Sequence, residues 1–165
     1  MAATVTQNWD NDGHLVITGA ETLDLYHELR YGKTGQADFD KLGIFCAFSN
    51  EQFDEGYAKL VRLGHIKDGE KVVRVTNGTF GTREGRAKLI EFYDKVEERI
   101  KKECDPQEVY YFEYNNYECC ISWDGDLGAI KTIIRTYGPD VARKIKRFRA
   151  CEEIDAIIAE MEKEN

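Results

Sequence analysis

The clearest pattern of apolar and polar positions runs from Gly43 to Gly64, GIFCAFSNEQFDEGYAKLVRLG. Ile44 to Phe48 are apolar at every position, which predicts a strand over 44–48 buried on both faces. Ser49 then stands as an N-cap, with Gln52 three residues on, the spacing of a capping box. A helix over 50–63 follows from it. Phe53, Tyr57, Leu60 and Val61 recur at i, i+4, i+7 and i+8 and so share one helical face. Gly64 supplies the stop, because only glycine enters the left-handed region without a Cβ clash. Gly56 lies inside this helix, where glycine costs about 1 kcal/mol relative to alanine. Close approach of a core neighbour is the reading that accounts for it.

The remaining segments arrange themselves around this unit. His14–Thr18 predicts a short strand, and a helix opened by Thr18 or Ala20 runs to about Tyr31, ended by Gly32-Lys33-Thr34-Gly35. Asp38–Leu42 predicts one helical turn. Lys71–Thr76 reads as a strand with Val73 and Val75 on one side. The loop Asn77–Thr82 then leads into a long helix over 83–103, with Leu89, Phe92, Tyr93, Val96 and Ile100 as its buried stripe. Asp105-Pro106 ends that helix. Val109–Tyr114 and Tyr117–Ser122 flank Asn115-Asn116, which predicts a β-hairpin, since Asn tolerates positive φ. Trp123-Asp124-Gly125-Asp126 forms a turn before a helix over 127–137. Gly138-Pro139 opens another helix, with Val141, Ile145 and Phe148 inward and Arg143, Lys144, Lys146 and Arg147 outward. A last helix covers about 151–163.

Together these elements predict an α+β fold, or mixed α/β. The expectation is a single domain with a mixed sheet of about four to five strands, including the hairpin, packed by about five to six helices. Residues 1–13 read as a flexible lead-in and 14–138 as the core domain. Residues 139–165 read as C-terminal helices, either part of the same domain or an oligomerisation arm that leaves a homodimer open.

Composition narrows the class. Of 165 residues, 42% are hydrophobic and 33% charged, which excludes whole-chain disorder. No apolar run approaches the roughly 18–20 residues needed to span a membrane. MAATVTQNWDNDGH has neither the basic start nor the apolar run of a secretory signal, so a cytoplasmic protein is expected. The five cysteines are odd in number and lack metal-ligand spacing, so most read as buried free thiols. The net charge of −8 argues against direct nucleic-acid binding, which relies on neutralising phosphates. It favours a protein partner, and a small acidic protein of this kind can imitate a phosphate backbone.

Candidate chemistry is sparse, and each signal has a plainer structural reading beside it. The loop Gly78–Gly85 follows a strand and opens a helix, the geometry in which backbone N–H groups hold an anion. Gly78, Gly81, Thr82, Arg83 and Arg86 would form that site. GTFGTREG nevertheless matches neither the G-x-x-x-x-G-K-[ST] frame nor a dinucleotide fingerprint, and glycines there also serve backbone geometry alone. A nucleophilic Cys119 or Cys120 would need a base, and His14, His27 and His65 stand at no telling spacing. The Asp124/Asp126 pair, with Asp105 and Glu108 nearby in sequence, could hold a divalent metal through oxygen ligands, but helix capping by Asp124 is the favoured reading. Tyr110, Phe112, Tyr114 and Trp123 suit a protein interface, with half of the aromatic arm in the core by alternation. Arg143, Lys146 and Arg147 belong to the one basic patch, a second candidate for partner contact. No catalytic residue, metal or cofactor is implied.

The runs IFCAFSNEQFDEGYAKL, KVVRVTNGTFGT and YNNYECCISWDGDLGAIK resemble a group of small, functionally uncharacterised proteins of gut bacteria and their phages or mobile elements. That group carries an F-F-A-F-S-x-x-Q-F-x-E-G stretch followed by a Gly-rich loop after the next strand. The resemblance covers about Gly43–Thr82, and Cys46 and Thr79 depart from its pattern. It implies no activity and no catalytic residues. It directs the expectation toward a non-enzymatic, protein-binding accessory protein of a mobile element or phage, acting on a host or defence protein that handles nucleic acid. The alternative is a small phosphate- or nucleotide-binding protein using the Gly78–Gly85 loop.

Overall fold

The computed structural model describes residues 6–9, 15–18, 20–116 and 125–164. These divide into two compact units, residues 32–96 and residues 1–31 with 97–165. The fold is α+β, with eight α-helices among the described residues.

In residues 32–96 a single turn, α2 (Phe39–Leu42), leads into β3 (Ile44–Cys46). Helix α3 (Asn50–Arg62) follows, as its cap predicts. The Ser49 hydroxyl accepts the Gln52 N–H at 3.2 Å, and Gln52 Oε1 accepts the Phe48 N–H at 2.8 Å, so both ends of the helix entrance are served. Strands β4 (Val73–Thr76) and β5 (Thr79–Gly81) complete a sheet of order β3-β5-β4. Both pairings are antiparallel, with Phe45 opposite Phe80 and Thr76 opposite Thr79.

This three-stranded antiparallel sheet replaces the expected mixed sheet of four to five strands. The physical reason lies at Asn77-Gly78. Gly78, with φ +77°, takes the left-handed position that lets the chain reverse between Thr76 and Thr79. The chain therefore turns back there and builds β5 out of residues expected to form a loop. Burial on both faces holds for Ile44 and Phe45 but stops at Cys46. Phe45 and Ala47 enter the core with Leu60 and Ile66, while Cys46 and Phe48 are exposed.

Phe53, Tyr57 and Val61 of α3 pack on that core together with Val72 and Phe80. The Phe45 ring meets Phe53 edge-on at 5.5 Å and stacks with Phe80 at 5.9 Å. Gly56 serves this packing, since a Cβ there would stand 2.0 Å from Phe45 Cδ2. Helix α4 (Arg83–Glu103) has the predicted span, but Tyr93 is exposed rather than part of its buried stripe.

In the other unit, β1 (Thr6–Trp9) lies inside the expected lead-in and pairs antiparallel with β2 (Leu15–Thr18), Trp9 opposite Leu15. Helix α1 spans Ala20–Arg30. The predicted hairpin is instead helix α5 (Pro106–Asn116); its second arm, 117–122, lies outside the described residues. Asp105 Oδ1 accepts the N–H groups of Gln107 and Glu108 at 2.9 and 3.1 Å, and Pro106 occupies the first helical position. Glu108, Val109, Tyr110, Tyr111 and Glu113 are all buried, so the segment is enclosed nearly all round. The β-preference of aromatic residues reflects packing on a half-buried sheet, and it lapses where a helix is enclosed.

Helix α6 spans Leu127–Tyr137, α7 is the single turn Pro139–Ala142, and α8 spans Ile154–Lys163. Helix α5 packs on α1 and α6. The Tyr137 hydroxyl donates to the carbonyls of Ile100 and Cys104 at 3.3 and 3.0 Å, where α4 ends.

Candidate functional site

The described residues hold no grouping of three or more His, Cys, Asp and Glu fit for a metal ion. What stands out in residues 32–96 is one side chain. Phe48 is 82% exposed. Alternation along the strand turns Phe45 and Ala47 inward and leaves Phe48 on the outer side. Its ring lies over the backbone of Gly78, where a Cβ would come within 2.2 Å of Phe48 Cε1. A phenylalanine just before an N-cap usually packs onto the fourth helical residue, here Phe53. Phe53 is instead occupied by Phe45 and Phe80, at 5.5 and 5.1 Å.

Two clefts flank this ring. The larger, about 740 Å³, runs between β3 and α3 and is lined by Cys46, Gln52, Glu55, Gly56, Lys59 and Arg62. The smaller, about 370 Å³, is lined by Ser49, Asn50, Arg74, Asn77 and Gly78. Lys59 is tied to Asp40 at 2.6 Å. The Phe48 ring thus stands exposed between two hollows with polar rims. The sequence carried one signal for it, an aromatic at the position before the cap, but the unbroken apolar run hid its exposure.

The loop residues predicted to hold an anion are placed as follows. Gly78 is in the hairpin turn and Gly81 is in β5. A side chain at Gly81 would stand 2.5 Å from the Gly43 carbonyl oxygen, and one at Gly85 would stand 2.1 Å from that of Leu42. Thr82 Oγ1 accepts the Gly85 N–H at 2.8 Å and so caps α4. Arg83 and Arg86 are exposed in the first turn of α4.

Several predicted interface residues take other roles. Tyr110 is fully buried, and Phe112 and Tyr114 are half-buried; Trp123 lies outside the described residues. Arg143 is exposed and pairs with Asp140 and Asp155, each at 2.9 Å. Lys146 is exposed, and its backbone exchanges two hydrogen bonds with the Gln107 side chain. Arg147 does not face outward. Its Nε and Nη2 donate to Asp126 Oδ2 and Oδ1, both at 2.7 Å, with side-chain exposures of 11% for Arg147 and 0% for Asp126. Tyr110 joins the cluster, donating to Asp126 Oδ2 at 2.9 Å and accepting the Phe148 N–H at 2.8 Å. The Asp126 carboxylate therefore neutralises the arginine and draws it in, and the Phe148 ring seats against Tyr110, Tyr111 and Tyr114. Asp124, the expected cap of α6, lies outside the described residues.

Three of the cysteines can be placed. Cys46 and Cys151 are exposed and Cys104 is buried, so the expectation of mostly buried thiols does not hold among them. Burial pushes the Cys104 thiol up to about 11. Burial and the neighbouring Asp126 also raise Cys151, which disfavours a nucleophilic thiolate there.

These features define an α+β protein with an exposed phenylalanine between two clefts. The chain belongs to a family of unknown function (DUF7659), whose profile matches residues 26–127. This agrees with the expectation of an uncharacterised family. No curated protein and no solved structure matches the chain. No helix among the described residues is long and apolar enough to cross a membrane.

Proposed function

We propose that this protein is a non-enzymatic binding module that engages a protein partner through the face around Phe48. The single observation that carries this reading is a phenylalanine ring 82% exposed between two clefts. Burying such a ring contributes about 2 kcal/mol, or roughly thirtyfold in affinity. The charge distribution supports a division of labour. Residues 32–96 hold 11 Lys and Arg against 10 Asp and Glu, whereas the remainder hold 12 against 21. The near-neutral part supplies the anchor and the acidic part steers a basic partner. With the resemblance to mobile-element proteins, this points to an accessory role toward a host or defence protein that handles nucleic acid.

The test is quantitative affinity capture from the native host with wild type and Phe48→Ala side by side. A basic protein enriched by wild type, about thirtyfold weaker with Phe48→Ala and weakened by salt, supports the proposal. Equal capture by both proteins refutes the anchor.

A second reading, a phosphate or nucleotide at Gly78–Gly85, draws on Arg83 and Arg86 standing exposed at the start of α4. Its test is ATP or inorganic phosphate binding by wild type and Arg83→Ala. Gly81→Val is unsuitable, because its Cβ would strike the Gly43 carbonyl.

A further inference from the structure

Backbone hydrogen bonds decide which way each residue of β3 faces. Phe45 lies opposite Phe80, the Ala47 N–H donates to the Gly78 carbonyl at 2.9 Å, and the Thr82 N–H donates to the Gly43 carbonyl at 3.1 Å. Gly43, Phe45 and Ala47 therefore turn their main-chain groups toward β5, and Ile44, Cys46 and Phe48 turn theirs the other way. The sheet order β3-β5-β4 puts no described strand on that side. The Phe48 N–H is served there by Gln52 Oε1 at 2.8 Å. The N–H and C=O of Cys46 have no hydrogen-bond partner among the described residues, and Cys46 is exposed.

The larger cleft beside Phe48 lies along this free edge. Phe45 and Cys46 point to opposite faces of the strand, yet both line it, with Gln52, Gly56 and Lys59 of α3 across from them. The stretch Ile44–Phe48 spans about 17 Å, room for about five residues of an added strand. Sheet edges are commonly blunted by Lys, Pro or another charged residue, and IFCAF has none of these. The opposite edge strand, β4, does carry a charge, the exposed Arg74.

Charge does not select the occupant of this cleft. Glu55 stands against Arg62, and Lys59 is tied to Asp40 at 2.6 Å. The selecting feature is the main chain of Cys46, one donor and one acceptor aimed outward from the same residue. An extended segment offers a matching acceptor and donor at the same spacing. A helix does not, since its main-chain groups are spent within it.

We propose that the protein partner lays an extended segment between β3 and α3, adding a fourth strand to the sheet through the N–H and C=O of Cys46, beside the Phe48 ring. This rests on the reading of Phe48 as the contact face and names the form the partner takes there. The probe is a displayed library of random linear peptides selected on the full chain, with the winning peptide synthesised and titrated by calorimetry. Cys46→Pro binds it about ten- to hundredfold more weakly than Cys46→Ala, which shares the loss of the thiol but keeps the N–H. An outward N–H at a sheet edge is where proline is tolerated, so the β3–β5 ladder stays. Two further measurements need no protein variant. Methylating the peptide's backbone nitrogens one at a time weakens binding at alternate positions only. Hydrogen exchange of the Cys46 amide in wild type slows on saturation with the peptide. Equal binding by Cys46→Pro and Cys46→Ala, methylation effects without the two-residue alternation, unchanged exchange at Cys46, or no peptide enriched at all overturns the added strand. Binding lost in Phe48→Ala but equal in Cys46→Pro and Cys46→Ala refutes the strand and leaves the Phe48 face standing. Binding that needs the Cys46 N–H yet is unchanged in Phe48→Ala supports the strand and refutes the role of the ring.

Discussion

Arg143 and Arg147 stand four residues apart, and the structure assigns them opposite energetic weights. Arg147→Ala leaves Asp126, whose side chain is 0% exposed, without its two charged donors. The Tyr110 hydroxyl at 2.9 Å and the long Cys151 N–H and Sγ contacts at 3.4 and 3.7 Å remain. Breaking one partner from a buried pair costs about 3–5 kcal/mol, and the surviving tyrosine bond places this case near about 3 kcal/mol. Arg143→Ala removes contacts to Asp140 and Asp155, whose side chains are 92% and 81% exposed, so solvent screens both pairs and little stability is lost. At roughly 2–4 °C per kcal/mol for a chain of this size, Arg147→Ala lowers Tm by about 6–12 °C, and Arg143→Ala lowers it far less. Urea and thermal unfolding followed by far-UV circular dichroism measure both. A double variant, Asp126→Asn with Arg147→Met, recovers part of the loss because no uncompensated charge stays buried. Equal stability of Arg147→Ala and Arg143→Ala refutes the reasoning.

Three further outcomes follow from the same structure. Gly56→Ala destabilises by about 1–2 kcal/mol in urea unfolding, because its Cβ would stand 2.0 Å from the Phe45 ring, and this strain exceeds the roughly 1 kcal/mol gain in helix propensity; added stability would refute the packing. Phe48→Ala shifts the unfolding midpoint by no more than about 0.5 kcal/mol, since the ring is 82% exposed; a loss above about 2 kcal/mol would reassign Phe48 to the core. Stability also falls in alkali. Burial raises the Cys104 thiol from 9.0 to about 11, so the folded state holds its proton longer than the unfolded one; that contribution is whole below about pH 9 and lost as pH rises to about 11. Burial raises the phenols of Tyr26, Tyr110 and Tyr137 in the same direction, so phenolate absorbance should grow with unfolding rather than before it, and flat stability from about pH 8 to 11 would count against this.

What the sequence by itself determined is what rests on neighbours in the chain. Helices α3, α4 and α6 were legible to within a residue, because cap, periodicity and stop lie within a few positions of one another. Gly56 was legible as a packing glycine for the same reason, being an unfavourable residue inside an otherwise clear helix. The tertiary structure alone decided the rest. Val109–Tyr114 has the composition of a strand, yet it is helical because enclosure on nearly all sides removes the alternation a sheet would require. Arg147 reads as surface beside Arg143, and only the buried carboxylate of Asp126, 21 residues away, turns it inward. Phe48 reads as core within an apolar run, and only its place on the side away from Phe45 and Ala47 leaves it exposed. Local signals specify elements; burial, charge pairing and strand order are non-local, and in this chain they decide which side chains face outward.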